Sequence, residues 1–453
     1  MTLRPLKIFF SGIGGSGVSA IASFMAEKGH IIAGSDRAFD KNQDHPVYKT
    51  LKLRGVSIVP QDGGGIDNSF DLVVFSTAVE HDQPEFLKAK ALNIPIKTRP
   101  EYLAEIISNF KTIAVAGTSG KSTTSGLLAF LMQSLGLNPN FIGGGRVKQF
   151  KTETNPGNSI TGNSEFLIVE ACESDGTIVN YKPKHSIISN LELDHHFVDK
   201  TAGMFEILAK NTTGKVIVNA DDKNLMKINI RNPITFSIGS SSKYMASDII
   251  YKPLITGFSL HGTKFSLALP GEYNLYNAVS CIAILSEIGI PLKDISNVLR
   301  EFKGIERRFD IHLNNGKKLV IDDYAHNPHK ISSLMQTMVN LRENFCYIFQ
   351  PHGFAPARMM KAEYIDAFSK NLRDSDHLIL LPIYYAGGTT SKDISSNDLA
   401  EEIRANKKSV EVVEDRNIVL ERLAEWDNYV VFGARDETLS DFAGRIAESL
   451  SNK

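Results

Sequence analysis

The chain has 453 residues, a formal net charge of −1 and 42% hydrophobic residues. This length is too great for a single hydrophobic core, and the balanced charge argues against nucleic acid or an anionic membrane as the main partner. The three cysteines are far apart in the sequence, which fits a reducing compartment. Because we find neither a signal peptide nor a bilayer-spanning segment, we expect a cytoplasmic protein.

The first predicted element is a strand at residues 7–11, followed by Gly12-Ile-Gly-Gly-Ser-Gly17 and a helix that ends before Gly29. A G-x-G-x-x-G turn between a strand and a helix is typical of a diphosphate site at the amino end of that helix. The next strand ends at Asp36, at about the distance expected of a ribose-binding carboxylate. Alone, this loop would indicate NAD, but any diphosphate ligand can use the same turn.

A second glycine turn follows the predicted strand at residues 112–116 and leads into a helix beginning with Lys121-Ser122. Gly117 and Gly120 allow backbone amides to face phosphate oxygens, Lys121 can reach the β- and γ-phosphates, and the Ser122 hydroxyl can hold Mg²⁺. The spacing departs from the full G-x-x-x-x-G-K-[ST] pattern, since Val115 stands at the first glycine. The alternative is an ordinary turn with a solvated lysine. We favour a triphosphate site, and therefore two nucleotides in two domains.

Strand and helix signals alternate along the rest of the chain, with strands predicted at residues 166–170, 186–190 and 216–219. Shorter period-two runs within residues 234–270 predict a few antiparallel strands. A third series begins at residue 318 and ends in a helix. We therefore predict an α/β protein of three domains: a Rossmann-like domain at 1–108, a central P-loop ATPase-type α/β domain with a small antiparallel sheet at 109–310, and a C-terminal Rossmann-like domain at 311–453.

Acidic and histidine side chains follow two strands of the predicted central sheet. Glu170 ends one strand, and Asp194-His195 follows its neighbour, so both lie at the carboxyl edge where ligands bind. Glu170 and His195 could hold a second divalent ion against the γ-phosphate. Histidine is an unusual ligand for Mg²⁺, so Mn²⁺ could substitute. The alternative makes Glu170 and Asp194 helix caps and His195 a solvated loop residue.

Six motifs in order along the chain resemble those of the Mur ligases of peptidoglycan synthesis, and within them the branch that adds L-alanine or another small amino acid to UDP-N-acetylmuramate. They are Gly12-Ile-Gly-Gly-Ser-Gly17, Gly117-Thr-Ser-Gly-Lys-Ser-Thr123, Glu170-Ala-Cys-Glu-Ser-Asp175, Gly271-Glu-Tyr-Asn-Leu-Tyr-Asn-Ala278, Glu306-Arg-Arg-Phe309 and Asp322-Asp-Tyr-Ala-His326.

The resemblance implies three sets of site residues. The sugar nucleotide would be bound by Gly12, Gly14, Gly15, Ser16, Gly17, Asp36, Ser76, Thr77 and Asn190. ATP would be bound by Gly117, Thr118, Gly120, Lys121, Ser122, Thr123, Asn277, Arg308, Asp323 and His326. The catalytic residues would be Lys121, Glu170 and His195, and the metal ligands Ser122, Glu170 and His195.

The reaction implied by the resemblance is an ATP-dependent ligation in two steps. The sugar carboxylate attacks the γ-phosphate of ATP to give an acyl phosphate, and the amine of an amino acid then attacks the acyl carbon. The third domain should close over this reactive anhydride, which water would otherwise destroy. The partners expected are a UDP-N-acetylmuramate-type sugar nucleotide and a small amino acid, with no nucleic acid and no membrane, in a monomer or homodimer.

The segment expected to hold the amino acid departs from the family pattern. Gly353 and Pro356 stand where the family's alanine-adding branch has two arginines that clamp the amino-acid carboxylate, and Arg435 stands where the family prefers glycine. We predict that Arg435, with Arg358 as a second candidate, holds that carboxylate beside His352. Smaller departures are Ser119, Cys172 and Tyr273, which leave the lysine, serine, glutamate and histidine set intact.

Four alternatives stay open from the sequence. One is a recycling ligase that joins a whole peptide to UDP-N-acetylmuramate, and another is a Mur-like ligase for a different carboxylate, as in folate polyglutamylation. An NAD-dependent oxidoreductase would leave the Lys121 loop unexplained. A non-catalytic nucleotide-binding regulator would leave Lys121, Glu170 and His195 without a purpose.

Overall fold

Two glycine turns and four sheets organise the chain in the computed structural model, which describes residues 4–41, 45–76, 79, 82–193, 196–385 and 390–451. The chain divides into two compact units, Met1–Ile305 and Glu306–Lys453. The predicted boundary between a first and a central domain, at residue 108, lies inside the first unit and stays a prediction. Among the described residues, no helix combines the length and apolarity needed to span a bilayer.

The first sheet has five parallel strands in the order β3-β2-β1-β4-β5. Its strands are β1 (Lys7–Ser11), β2 (Ile31–Ser35), β3 (Ser57–Ile58), β4 (Leu72–Phe75) and β5 (Ile96–Thr98), and its helices are α1 (Ser16–Glu27), α2 (Arg37–Lys41), α3 (Pro46–Leu53), α4 (Pro84–Ala91) and α5 (Arg99–Ser108). Consecutive apolar residues Ile8, Phe9 and Phe10 are fully buried, as expected for a parallel strand covered on both faces. The first glycine turn follows β1, where the strand order reverses direction.

The central sheet has eight strands in the order β13-β12-β11-β10-β6-β9-β7-β8, and a separate antiparallel sheet has the order β14-β15-β16. The strands are β6 (Lys111–Ala116), β7 (Asn140–Ile142), β8 (Ser159–Ile160), β9 (Phe166–Glu170), β10 (His185–Ile188), β11 (Val216–Asn219), β12 (Ile234–Ser237), β13 (Tyr244–Met245), β14 (Ser247–Lys252), β15 (Ile255–Leu260) and β16 (Thr263–Leu267). The helices are α6 (Lys121–Ser134), α7 (Val198–Asn211), α8 (Glu272–Glu287) and α9 (Leu292–Leu299), with short 3₁₀ turns at Lys148–Phe150, Thr177–Asn180 and Leu225–Lys227.

The observed strand pairing refines the prediction for residues 234–270. The antiparallel strands are β14 to β16, whereas β12 and β13 extend the parallel sheet beside β11. β6 lies between β10 and β9, so the second glycine turn also starts at a point where the strand order reverses. Ligands of open α/β sheets bind at such points.

The second compact unit has one six-stranded sheet in the order β17-β18-β22-β19-β20-β21, in which only the edge strand β17 is antiparallel among the described pairings. Its elements are β17 (Asp310–Asn314), β18 (Leu319–Asp323), α10 (Pro328–Val339), β19 (Phe345–Gln350), α11 (Phe354–Met359), α12 (Lys361–Asn371), β20 (His377–Leu380), α13 (Ser396–Ala405), β21 (Val410–Val412), α14 (Arg416–Glu421), β22 (Asn428–Gly433) and α15 (Thr438–Ser451).

Candidate active site

The second glycine turn holds a lysine whose charge is surrounded by acids. Gly120 has φ +79° and directly precedes α6, which begins at Lys121. The Lys121 ammonium donates to the Gly117 carbonyl at 2.7 Å and to the two carboxylate oxygens of Glu173 at 2.8 and 3.1 Å. Burial disfavours the ammonium charge, but the carboxylates of Glu173 and Glu170 outweigh that cost, so the pKa of Lys121 lies above its ordinary value. Lys121 is therefore a fixed positive charge at the amino end of a helix.

Ser122 and Glu170 lie together next to this lysine. The Ser122 hydroxyl donates to Glu170 Oε1 at 3.1 Å, and the Gly144 amide donates to Glu170 Oε2 at 2.9 Å. Glu170 is the last residue of β9, beside the turn that follows β6. The Ser122 hydroxyl and the Glu170 carboxylate are therefore two adjacent oxygen ligands of the kind that Mg²⁺ prefers.

Asn190 braces the lysine-containing turn from the next strand. Its side-chain carbonyl accepts from the Thr118 hydroxyl at 2.8 Å and from the Ser119 amide at 2.7 Å, while its amide group donates to the Ser119 carbonyl at 3.0 Å. Thr118 is itself buried. These bonds hold the Asn190 side chain against the lysine-containing turn, and its contact with the sugar nucleotide stays a prediction.

Asn277 contacts the same turn from α8. Its side-chain oxygen accepts from the Thr124 hydroxyl at 3.0 Å, and a Cβ on Gly120 would lie 2.6 Å from that oxygen. The Asn277 side-chain nitrogen is buried and has no hydrogen-bond partner among the described residues. A buried donor without a partner is costly, so this nitrogen is well suited to a ligand acceptor such as an adenine ring nitrogen.

The first glycine turn is organised around Asp36 and a buried acid. The Gly14 amide donates to Asp36 Oδ2 at 2.9 Å, and the Gly12 amide donates to the Ser35 carbonyl at 2.9 Å. Behind the turn, fully buried Glu85 accepts hydrogen bonds from the Ser11 and Ser35 hydroxyls. Burial raises the pKa of Glu85, and the serine hydrogen bonds only partly oppose this.

Four more of the residues predicted to bind the sugar nucleotide lie at the start of α1 or directly after β4. Gly15 and Ser16 are exposed at the start of α1, Gly17 is partly buried, and the Ser76 amide donates to the Ser11 carbonyl at 2.9 Å. Thr77 lies outside the described residues. So do Asp194 and His195, and the prediction that His195 is a metal ligand is therefore untested by the geometry.

Three residues predicted to bind ATP lie in the second unit, at the carboxyl end of β18. The Arg308 guanidinium stacks over the Tyr324 ring at 4.7 Å. Asp323 accepts the Phe309 and Ala325 amides at 2.6 and 2.7 Å. Burial, followed by the charge of a nearby lysine, lowers the pKa of His326 to about 3, so this imidazole is neutral at ordinary pH.

The predicted amino-acid-binding residues separate into two groups. Arg358 is paired with Asp393 and donates to the Ser391 carbonyl at 3.1 Å. Arg435 is exposed, has φ +67°, and donates its amide to the Tyr324 hydroxyl at 3.1 Å. Burial and the charge of Arg435 lower the pKa of His352 to about 4, which places Arg435 and His352 in one electrostatic environment.

Comparison with known proteins decides the family. The chain matches three family models: Mur ligase family, catalytic domain, at residues 7–111; Mur ligase middle domain at 115–285; and Mur ligase, glutamate ligase domain, at 307–449. A UDP-N-acetylmuramate–L-alanine ligase of Fusobacterium nucleatum is 33% identical over 98% of this chain and 97% of its own length. The chain belongs to the Mur ligase family.

Solved structures agree with this assignment. The UDP-N-acetylmuramate–alanine ligase of Thermotoga maritima has a TM-score of 0.81 and 25% identity, with 99% of both chains covered. A murein peptide ligase of Psychrobacter arcticus shares the fold, with a TM-score of 0.70 and 22% identity over 99% of both chains. The predicted three-domain Mur ligase architecture, with parallel sheets and a small antiparallel sheet, is confirmed.

Sequence reasoning missed three residues of this Mur ligase that the fold brings to the glycine turns: Arg99, Glu173 and Glu85. Glu173 lies within a motif already recognised, three residues after Glu170, and a second acid so close to a strand end could have signalled a partner for Lys121. Arg99 and Glu85 follow no local pattern. Arg99 contacts Asp175, which follows β9 of the central sheet, and Glu85 contacts Ser35 at the end of β2, so only the tertiary structure brings these pairs together.

Proposed function

We propose that the chain is an ATP-dependent ligase that joins a small amino acid to the carboxylate of UDP-N-acetylmuramate in peptidoglycan precursor synthesis. Full-length relatives with this activity in their names support the proposal. The observation that carries it is the arrangement around Lys121, where a lysine, a hydroxyl and two carboxylates lie at the amino end of α6. This combination suits phosphoryl transfer from ATP to a carboxylate, which needs charge stabilisation more than covalent chemistry.

Lys121 would stabilise negative charge on the transferring phosphoryl group. Its raised pKa keeps it protonated across the physiological range, so the charge is always available. Glu173 fixes the ammonium before the nucleotide binds, which reduces the reorganisation needed at the reacting centre. The sugar carboxylate would attack the γ-phosphate and displace ADP, forming an acyl phosphate. The amino group of the acceptor would then attack the acyl carbon, and inorganic phosphate would leave as the amide forms and the amine loses a proton.

Ser122 and Glu170 are the described residues that would hold Mg²⁺, because they supply two adjacent oxygen donors. When bound, the metal would neutralise charge on the phosphate oxygens. His195 stays the predicted third ligand, and with a histidine ligand Mn²⁺ could substitute.

For the acceptor, we propose that Arg435 holds the amino-acid carboxylate. A non-glycine residue at φ +67° is uncommon, and backbone strain of this kind is enriched at functional sites. An exposed guanidinium beside a neutral His352 leaves a positive charge open to a carboxylate. Arg358 is the weaker candidate because its guanidinium already donates to both Asp393 and the Ser391 carbonyl.

Arg435→Ala should raise the KM for the amino acid by about tenfold or more, the effect expected from losing a charge-assisted hydrogen bond. The KM values for ATP and the sugar nucleotide should change little. Arg445→Ala serves as the control, since Arg445 is an exposed arginine on α15 that donates to Asn417. An unchanged amino-acid KM in Arg435→Ala would exclude this role.

Phosphate release from ATP with UDP-N-acetylmuramate, measured against L-alanine, glycine, L-serine and a tripeptide, tests the proposed function. Release dependent on both the sugar nucleotide and a small amino acid supports it. Release that requires the tripeptide would indicate the recycling ligase instead. If phosphate is released only when another carboxylic acid replaces UDP-N-acetylmuramate, the result would indicate a Mur-like ligase of another pathway.

A further inference from the structure

Arg99 borders the helix that follows the first glycine turn. It is the first residue of α5 and directly follows β5, at the same carboxyl edge of the sheet as that turn. A Cβ placed on Gly17 would lie 3.4 Å from Arg99 Cδ and 3.8 Å from both Nε and Nη1. The Arg99 side chain is 19% exposed. Two of its donor nitrogens therefore face the first turn of α1.

The opposite side of the guanidinium is fixed by Asp175. Arg99 Nη2 donates to Asp175 Oδ2 at 2.7 Å, while Asp175 Oδ1 accepts from the Thr177 amide at 3.0 Å and hydroxyl at 2.6 Å. Within the described part of the chain, Asp175 is the one residue that accepts a hydrogen bond from Arg99. A guanidinium has five N–H donors, so Nε and Nη1 keep theirs available.

The first glycine turn has a carboxylate beside it and no cation of its own, so a bound diphosphate would need a positive charge from another part of the chain. Residues 12–17 contain no lysine or arginine, and the Asp36 carboxylate already binds the Gly14 amide. A diphosphate would add further negative charge beside that carboxylate, and the partial charge of a helix end offsets only part of it. Arginine bound to an anion on one side can still donate to phosphate oxygens on another, because its planar fork presents several donors in fixed directions.

We propose that Arg99 is a further substrate-binding residue, whose Nε and Nη1 donate to the diphosphate of the sugar nucleotide while Asp175 positions it. This inference rests on the proposed function, in which the first turn binds UDP-N-acetylmuramate. Asp175 belongs to the motif that begins at Glu170, so the ion pair joins the sugar-nucleotide turn to the segment beside the lysine-containing turn.

Calorimetric titration with UDP, UMP and uridine tests the contact directly. The full-length wild-type protein should bind UDP more tightly than uridine, and Arg99→Met should weaken UDP binding by about tenfold or more while leaving uridine binding unchanged. Arg99→Lys keeps a charge but not the fork, so it should lose part of the UDP affinity. In the full reaction, Arg99→Met should raise the KM for UDP-N-acetylmuramate and not that for ATP.

Two matched variants separate binding from a purely structural role. Lys97→Met removes a cation from β5, the strand just before Arg99, where Lys97 pairs with Glu105 at the surface, and this variant should bind UDP like the wild type. Asp175→Asn breaks the ion pair but keeps the Arg99 charge, so it should lose less UDP affinity than Arg99→Met.

Wild-type UDP affinity in Arg99→Met, or in Arg99→Lys should the methionine variant not fold, would overturn the inference and leave the proposed function standing. Equal losses in Arg99→Met and Asp175→Asn would also overturn it, since the ion pair alone would then explain both. A wild-type protein that binds neither UDP nor UDP-N-acetylmuramate would overturn the proposed function itself.

Discussion

The two glycine turns share a backbone plan but differ in their charges. Each follows a central parallel strand, each begins at a reversal of strand order, and each leads into a buried helix. The lysine-containing turn carries its own cation, Lys121, against Glu173 and beside Glu170. The first turn carries no cation and instead holds the Asp36 carboxylate on the Gly14 amide.

The residues that support the two turns from neighbouring parts of the fold also differ in charge. Asn190, a neutral amide, supports the lysine-containing turn, whereas Glu85, a buried acid, supports the first. The backbone plan explains why either turn can bind phosphate groups, and the surrounding side chains decide which chemistry follows. On this basis we predict phosphoryl transfer at the second turn and ligand binding alone at the first.

The largest effect should come from Lys121→Ala. Losing charge stabilisation at a transferring phosphoryl group typically costs about 10² or more in rate, so phosphate release should fall to background. Sugar-nucleotide affinity should stay near that of the wild type. Lys111→Ala is the control, because Lys111 lies on the preceding strand and pairs with Glu165 at the surface. Near wild-type turnover in Lys121→Ala would contradict the assignment of this turn to ATP.

Glu170→Gln should raise the Mg²⁺ concentration needed for half-maximal activity by about tenfold or more, since even residues around a metal ligand typically contribute that much to affinity. A metal titration of the steady-state rate measures the shift. Glu165→Gln, just before the same strand, should leave the titration unchanged because that carboxylate pairs with Lys111. An identical metal dependence in Glu170→Gln and the wild type would count against a metal at Ser122 and Glu170.

Gly14→Val should weaken sugar-nucleotide binding by about tenfold, because a side chain would stand where the diphosphate approaches the backbone. A Cβ at this position would lie 2.8 Å from Asp36 Oδ2. ATP binding should be unaffected. Gly203→Val is the control, since among the described residues, apart from its own stretch of α7, none places an atom within 4 Å of a Cβ there. Titrations with UDP-N-acetylmuramate, NAD and NADP complete the test, and tight NAD binding would refute the assignment of the first turn to UDP.

The smallest effect should be a pH dependence of the protein's stability that originates at Glu85, behind the first turn. The folded-state pKa of Glu85 is raised by burial, so its contribution to stability is complete below about 4.3, the pKa of an unfolded glutamate, and is lost as the pH rises through the folded value. Thermal unfolding of the wild type and Glu85→Gln between pH 4.5 and 7.5 measures this. The wild type should lose stability relative to the variant as pH rises, and parallel curves would disprove the effect.

Local patterns predicted both glycine turns and the strands before them. The prediction of β9 at residues 166–170 and of β11 at residues 216–219 matches the structure at both ends, because each is a short apolar run bounded by polar or turn residues. The edge strand β17 was not predicted, since its sequence lacks the apolar run of a buried strand and it pairs only on one side.

By itself, the sequence determined the two units of strand, glycine turn and helix, because these parts are neighbours along the chain. Only the tertiary structure decided which charges surround each turn. Arg99 meets Asp175 across 76 residues, and Ser11 meets Glu85 across 74. Arg99 follows β5 of the first sheet and Asp175 follows β9 of the central sheet, while Ser11 ends β1 and Glu85 lies on α4. Because these elements meet only through the packing of the whole unit, neither pair leaves a local signal in the sequence.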